Sequence, residues 1–205
     1  MTEAEARAWV RERFGVPRET RLDRYAEWLR DEAARQNLVA ASTLDTLWSR
    51  HLVDSAQLIP LAEGAGDGPW LDVGSGAGLP GLVVALLTGR AVTLVEPRAK
   101  RADFLRRVAQ DLGVAVTVEA ARIETFHSAS PAAVVSARAV SELSRLFASA
   151  LHCTDSSTVW LLPKGRTTQS EVAAARRAWQ GSFHVEPSIT QPDSGIVIAR
   201  RVRPR

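Results

Sequence analysis

The sequence predicts an α/β fold: a mostly parallel, seven-stranded sheet with helices on both faces, preceded by a purely helical segment. Three observations lead there. From Trp70 onward, short apolar runs alternate with longer amphipathic ones, the pattern of strand–helix units whose strands run parallel. The first unit, Trp70-Leu71-Asp72-Val73, meets four glycines, Gly74, Gly76, Gly78 and Gly81, before the apolar run Leu82 to Leu87. The last unit is a hairpin instead of a strand and helix, which makes the final strand antiparallel.

Residues 1–63 read as a helical extension. Thr2 to Phe14 is a charged helix stopped by Gly15 and Pro17. Glu19 to Gln36 repeats Leu22, Tyr25, Ala26, Leu29 and Ala33 at helical spacing, so one face is buried. Thr43 to Leu61, with Ser42 or Thr43 as N-cap, carries the stripe Leu44, Leu47, Trp48, Leu52 and Ile59, and closes at Pro60. A glycine-rich link over 63–69 leads into a second unit, residues 64–205. Strands over 70–73, 91–96, 114–119, 132–136 and 158–162 are followed in turn by a helix over 80–88, a helix over 99–112, a short segment over 122–126, and helices over 141–151 and 168–179. Pro80 suits the first helical turn, where its missing N–H costs nothing. Strands 183–189 and 195–200 flank the turn Pro192-Asp-Ser-Gly195. The last six residues, Arg-Arg-Val-Arg-Pro-Arg, hold four arginines and are expected to be disordered.

Composition narrows the class. The 205 residues are 45% hydrophobic, enough for a substantial core, and 24% charged, which is ordinary. A net charge of +3 carried mainly by arginine leans toward an anionic partner. Cys153 is the only cysteine, so an internal disulfide is excluded; no Cys/His cluster has ligand spacing, and no metal is expected. No run approaches the roughly 18 apolar residues of a membrane span, and the N-terminus lacks a signal-peptide core. The chain reads as cytoplasmic, with no membrane partner.

The glycine stretch is where such folds hold a nucleotide-like ligand. Gly76-Ala-Gly78-Leu-Pro-Gly81 fits the dinucleotide pattern G-x-G-x-x-G, which makes NAD one possibility. Two acids argue for another. Glu96 ends the second strand about 20 residues past the loop, where a carboxylate binds both hydroxyls of a ribose. Asp72, near the end of the first strand, would repel a pyrophosphate but suit a phosphate-free ligand with a cationic amino group. S-adenosylmethionine is such a ligand. D-x-G-x-G-x-G followed by that acid is similar to the cofactor site of Rossmann-like methyltransferases, and the final hairpin matches the class I form of that fold.

Absences narrow the chemistry. Pyrimidine C5 transfer needs a cysteine nucleophile, and Cys153 lies beyond the helix after the fourth strand, where a bland thiol is expected. Exocyclic-amine transfer uses an [Asp/Asn]-Pro-Pro-aromatic motif, but the fourth strand runs into Ser136-Ala-Arg138-Ala-Val140. No His or Asp that would serve as the base for a carboxylate or phenol is obvious at these strand ends. A ring nitrogen such as guanine N7 needs no base, because its in-plane lone pair carries no proton.

The pieces resemble one family. Arg50-His51-Leu-Val-Asp54-Ser55, Leu71 to Gly81, Leu94-Val-Glu96 with Lys100-Arg101, Arg122-Ile-Glu124, Ser136-Ala-Arg138-Ala139 and Pro163-Lys164-Gly165 occur in the order of the ribosomal small subunit methyltransferase G family, also called glucose-inhibited division protein B. The resemblance implies methylation of a guanine N7 in 16S ribosomal RNA near the decoding site, with S-adenosylmethionine as cofactor. The substrate is then a 30S subunit or assembly intermediate, and the enzyme a monomer. It also implies that Gly74 and Leu79 line the cofactor beside Asp72, Gly76 and Gly78, that Glu96 holds the ribose, and that Ile123 and Glu124 flank the adenine. Arg138 faces the cofactor or the target base and is the candidate catalytic residue. Arg50, His51, Lys100, Arg101 and Lys164 are the candidate RNA contacts. The family's Trp-Asn-x-x-x-Asn-Leu-Thr segment is reduced here to Asn37-Leu38. Other readings are a methyltransferase for a small molecule or protein, a non-catalytic RNA-binding module, and an NAD-dependent oxidoreductase.

Overall fold

The computed structural model describes residues 1–205 and contains a seven-stranded sheet in the order β3-β2-β1-β4-β5-β7-β6. The strands are β1 (Trp70–Val73), β2 (Val92–Val95), β3 (Val116–Glu119), β4 (Val134–Ser136), β5 (Val159–Lys164), β6 (Trp179–Pro187) and β7 (Gly195–Pro204). The first five run parallel, while β7 is antiparallel to both β5 and β6. The order reverses at β1, with β2 on one side and β4 on the other, so a crevice opens beyond the ends of these three strands. No helix is long and apolar enough to cross a membrane, and no group of His, Cys, Asp and Glu is placed to hold a metal ion.

Alternation along β1 divides the core. Trp70 and Asp72 face one side of the sheet, Leu71 and Val73 the other. The Trp70 side is covered by α5 (Gly81–Thr88), α6 (Ala99–Asp111) and the N-terminal helices, whose Leu22, Tyr25, Leu29 and Leu52 join the same apolar core as Leu82 to Leu87. The other side is packed by α7 (Leu143–Ala150) and α8 (Thr168–Ala178), with Phe147 edge-on to Trp160 at 5.0 Å.

The first helix, α1 (Glu3–Phe14), starts with a capping box in which Thr2 and Glu5 satisfy each other's free amides. The second, α2 (Val16–Ala33), begins directly after Gly15, three residues before the expected start, because Pro17 fits its first turn instead of delaying it. Where one long third helix was expected, the chain makes a 3-10 turn (Ala41–Thr46), a π turn (Trp48–Leu52) and two short helices, α3 (Val53–Ala56) and α4 (Leu58–Leu61). Thr43 is therefore no N-cap; its hydroxyl meets His51 at 2.8 Å. The π turn is anchored from α1: Glu3 accepts the Trp48 and Ser49 amides, at 3.0 and 2.8 Å. Pro80 is the N-cap of α5, one residue ahead of its expected place.

The arginine tail is ordered, contrary to expectation. It completes β7, pairing Arg203 with Gln180 and Pro204 with Trp179 across from β6, which starts four residues early at Trp179. Adding a strand to an edge satisfies a row of backbone groups that composition alone cannot reveal.

The tightest packing is at Gly81. A methyl group there would lie 2.5 Å from Leu94 Cδ2 and 2.6 Å from Asp72 Cβ, both in the core. Gly81→Ala should therefore lower stability by about 1–3 kcal/mol in urea unfolding, with far-UV dichroism unchanged at low urea. A variant as stable as the parent would contradict this packing.

Candidate active site

The glycine bend after β1 is closed by its own hydrogen bonds. The Gly74 and Ser75 amides bond Val95 O at 2.8 and 3.1 Å; the Gly78 and Leu79 amides bond Ser75 O at 2.7 and 3.2 Å. The Gly76 amide donates to Glu96 Oε2 at 2.8 Å. A phosphate cradle needs such amides free and pointing at the anion. Here the Gly74, Ser75, Gly76, Gly78 and Leu79 amides are spent, one of them on a carboxylate. The bend keeps the bare backbone surface of a nucleotide loop with most of its anion-binding donors engaged.

Glu96 is buried at the end of β2, and its Oε1 accepts the Arg98 amide at 2.9 Å. Its two oxygens pin the bend and the start of the next segment, with lone pairs remaining for hydroxyl donors. Asp72 is placed differently from expectation. It is fully buried behind the bend and does not open on the crevice. Its Oδ1 accepts from Ser136 Oγ at 2.7 Å, and Trp70 Nε1 donates to the same hydroxyl at 2.8 Å. Its Oδ2 has no hydrogen-bond partner and lies beneath Gly81. Burial pushes its pKa up to about 6, against the hydroxyls of Ser136 and Ser75 and the charge of Arg138. Gly78 and Leu79 are also turned inward: Gly78 packs against Leu82, Leu105 and Tyr25, and Leu79 belongs to the core. Tyr25 of α2 donates to Ala77 O at 2.5 Å and fastens the N-terminal helices to the bend.

Two cavities flank this region. The smaller, about 330 Å³, is lined by Gly74, Val95, Pro97, Ile123 and Glu124, with Val140 and Ser141 as one wall. Gly74 is required there: a Cβ would lie 2.6 Å from Val140 Cγ2, and φ is 68°. Ile123 is buried and offers an apolar face; Glu124 is about half exposed and within 3.7 Å of Arg122. The larger cavity, about 630 Å³, shares Val140 and Ser141 and is bounded by Arg50, His51, Asp54, Arg138 and Lys164. Residues far apart in sequence thus meet across one wall, the segment after β4.

Arg138 is held from below. Its Nη1 donates to Asp54 Oδ2 and His51 Nδ1, both at 3.2 Å. His51 is kept neutral, its pKa pushed down to about 3 by burial and by Arg138 and Arg50. With Nδ1 accepting from Arg138, the ring proton sits on Nε2, facing Thr43. The other oxygen of Asp54 takes Thr190 Oγ1 at 2.8 Å and Gln57 Nε2 at 2.9 Å. Asp54 thus makes its ion pair with Arg138, 84 residues away, and not with its neighbour Arg50. Thr190 and Gln57 carried no signal in the sequence; Thr190 lies 136 residues from its partner.

The remaining basic residues divide. Lys164 ends β5 and is committed, with Nζ 2.5 Å from Ser141 O and 2.9 Å from Glu171. It fixes the dividing wall and is not a free phosphate contact. Lys100 is exposed at the first turn of α6 beside Arg98, and Arg101 reaches Asn37 O at 2.9 Å. Cys153 is buried, with burial raising its thiol pKa, and stands outside both cavities.

Comparisons with known proteins place the chain in a family and its fold among known ones. Residues 18–195 match the family described as rRNA small subunit methyltransferase G. The chain is 50% identical over 210 residues to the ribosomal RNA small subunit methyltransferase G of Rhizorhabdus wittichii, covering 100% of this chain and 95% of that one. It is 42% identical over 216 residues to the protein of the same name from Zymomonas mobilis, covering 100% and 96%. Among solved structures, a mutant of MtNAS in complex with S-adenosylmethionine is similar with a TM-score of 0.58 at 18% identity, over 90% of this chain and 76% of that one. The glycopeptide N-methyltransferase MtfA complexed with S-adenosyl-L-homocysteine gives 0.54 at 13% identity, over 72% and 88%. Likeness at that identity shows the shared fold.

The Asp72 shift has a measurable sign. An aspartate at about 6 in the folded chain, against an ordinary 3.8, holds a proton that the unfolded chain has released. Its contribution to stability falls as pH rises from about 4 to 6 and is flat above. Asp72→Asn removes that dependence, so the variant should gain on the parent by on the order of 2–3 kcal/mol between pH 4 and pH 7 in urea unfolding. A difference constant with pH would show that Asp72 titrates normally.

Proposed function

Because the chain belongs to the rRNA small subunit methyltransferase G family, we propose that it methylates N7 of a guanine in 16S ribosomal RNA near the decoding site, using S-adenosylmethionine. The observation that carries this reading is the shared wall: a cavity beside the glycine bend, wide enough for a nucleoside, abuts a polar cavity wide enough for a base, with Val140 and Ser141 common to both.

The smaller cavity fits the cofactor. Five amides of its bend are already bonded within the chain, Gly74 leaves bare backbone, and Pro97 and Ile123 offer apolar surfaces for a purine ring. Glu96 accepts the ribose hydroxyls while still holding the Gly76 and Arg98 amides. Glu124 and the backbone at Ile123 address the edge of the adenine. Asp72, Gly78 and Leu79 act from behind, shaping the bend; Asp72 adds negative potential once ionised. Bound S-adenosylmethionine supplies a methyl group already activated on a sulfonium.

The protein's remaining task is alignment and exclusion of water. Arg138 does this from the wall of the larger cavity, its guanidinium fixed by Asp54 and His51. His51 is engaged on both ring nitrogens and serves as no base, and N7 requires none. Arg98, Lys100 and Arg101, on the rim, meet the RNA backbone. The substrate is a small subunit or an assembly intermediate, bound by a cytoplasmic monomer.

Two measurements test this. Ribosomal RNA from cells lacking the protein, after reduction and aniline cleavage, should lose one cleavage stop in 16S RNA by primer extension; a persisting stop overturns the substrate assignment. Glu96→Ala should weaken S-adenosylmethionine binding by about 10-fold or more in a calorimetric titration. Unchanged affinity would remove Glu96 from the ribose.

A further inference from the structure

Charged groups around the larger cavity nearly cancel. It is lined by three cations, Arg50, Arg138 and Lys164, and three carboxylates, Asp54, Glu142 and Glu171. Arg138 pairs with Asp54 at 3.2 Å and Lys164 with Glu171 at 2.9 Å, while His51 is occupied by Arg138 and Thr43. That leaves one carboxylate and one guanidinium without a side-chain partner, Glu142 and Arg50, both exposed and not paired with each other. Glu142 is also the N-cap of α7, yet its side chain makes no capping bond, so its oxygens are uncommitted.

A cavity with a balanced charge set does not suit a phosphate, which calls for excess positive charge. It suits a neutral, strongly polar ring that carries donors on one side and an acceptor on another. Guanine is that ring: N1–H and the 2-amino group are adjacent donors, and O6 is an acceptor. A carboxylate takes both donors at once. Adenine turns an unprotonated N1 toward the same carboxylate and is repelled. Glu142 follows directly on Val140 and Ser141, the wall shared with the smaller cavity, so a base gripped there lies beside the passage between the two.

We infer that Glu142 is the specificity-determining residue that reads the N1–H and 2-amino edge of the target guanine, with Arg50 facing its O6. This rests on the proposed guanine methylation and deepens it. In this arrangement Glu142 grips the N1–H and 2-amino edge of the base and leaves N7, on the opposite edge, unobstructed. Its role is recognition, and no proton is transferred.

The test uses small subunits reconstituted with 16S RNA carrying either guanosine or inosine at the methylated position, since inosine lacks only the 2-amino group. The parent protein should methylate the guanosine RNA about 10- to 100-fold better in kcat/KM than the inosine RNA. Glu142→Ala should lose activity on guanosine and bring the two RNAs to within a few-fold of each other, while binding S-adenosyl-L-homocysteine as the parent does. Glu142→Asp should recover part of the discrimination. If Glu142→Ala keeps the parent's guanosine-to-inosine ratio, the assignment is wrong even though the enzyme is a guanine methyltransferase. If the parent methylates neither RNA, the proposed function itself falls, and this inference with it.

Discussion

A glycine-rich bend between a strand and a helix has amide donors to spare unless the protein consumes them, and in this chain the carboxylate of Glu96 and the carbonyls of Val95 and Ser75 do so. Once those donors are spent, the crevice above β1 has bare backbone to offer but little attraction for an anion. An acid buried behind the bend, Asp72, moves the local potential further the same way. The ligand class follows from this internal hydrogen bonding, and the rest of the site is arranged around it.

The N-terminal helices are part of that arrangement. Tyr25 bonds the bend, Glu3 anchors the π turn, and the π turn presents Arg50 and His51 to the cavity beyond β4. Through Asp54 the same segment holds Arg138 and reaches Thr190 in the turn between β6 and β7. The helices and the hairpin, from opposite ends of the chain, therefore converge on one guanidinium. A π turn allows this because its extra residue per turn rotates side chains that an α-helix would keep in register.

The wall between the two cavities is short, and its placement has identifiable causes. Lys164 holds Ser141 O, Gly74 yields space to Val140, and Ala139 takes a positive φ of 55°. Strained backbone of this kind costs on the order of 1–3 kcal/mol and persists where surrounding contacts impose it. Here those contacts fix the wall between the two cavities.

Much of this was legible in the chain alone. Strand–helix alternation determined the parallel sheet, the closing hairpin its antiparallel member, and the spacing of Asp72, Gly74 and Glu96 the strand ends at which a ligand is held, because these are local patterns with a fixed period. What the side chains do once there is another matter. Asp72 lies behind the bend and not in the crevice, Lys164 is paired with Glu171, and the arginine tail is a strand. Each of these was decided by a partner distant in sequence, and burial, pairing and edge-strand addition are properties of the assembled fold. The convergence of His51, Asp54, Arg138 and Thr190 is of the same kind: residues from three separate segments share one network, and no periodicity along the chain records it.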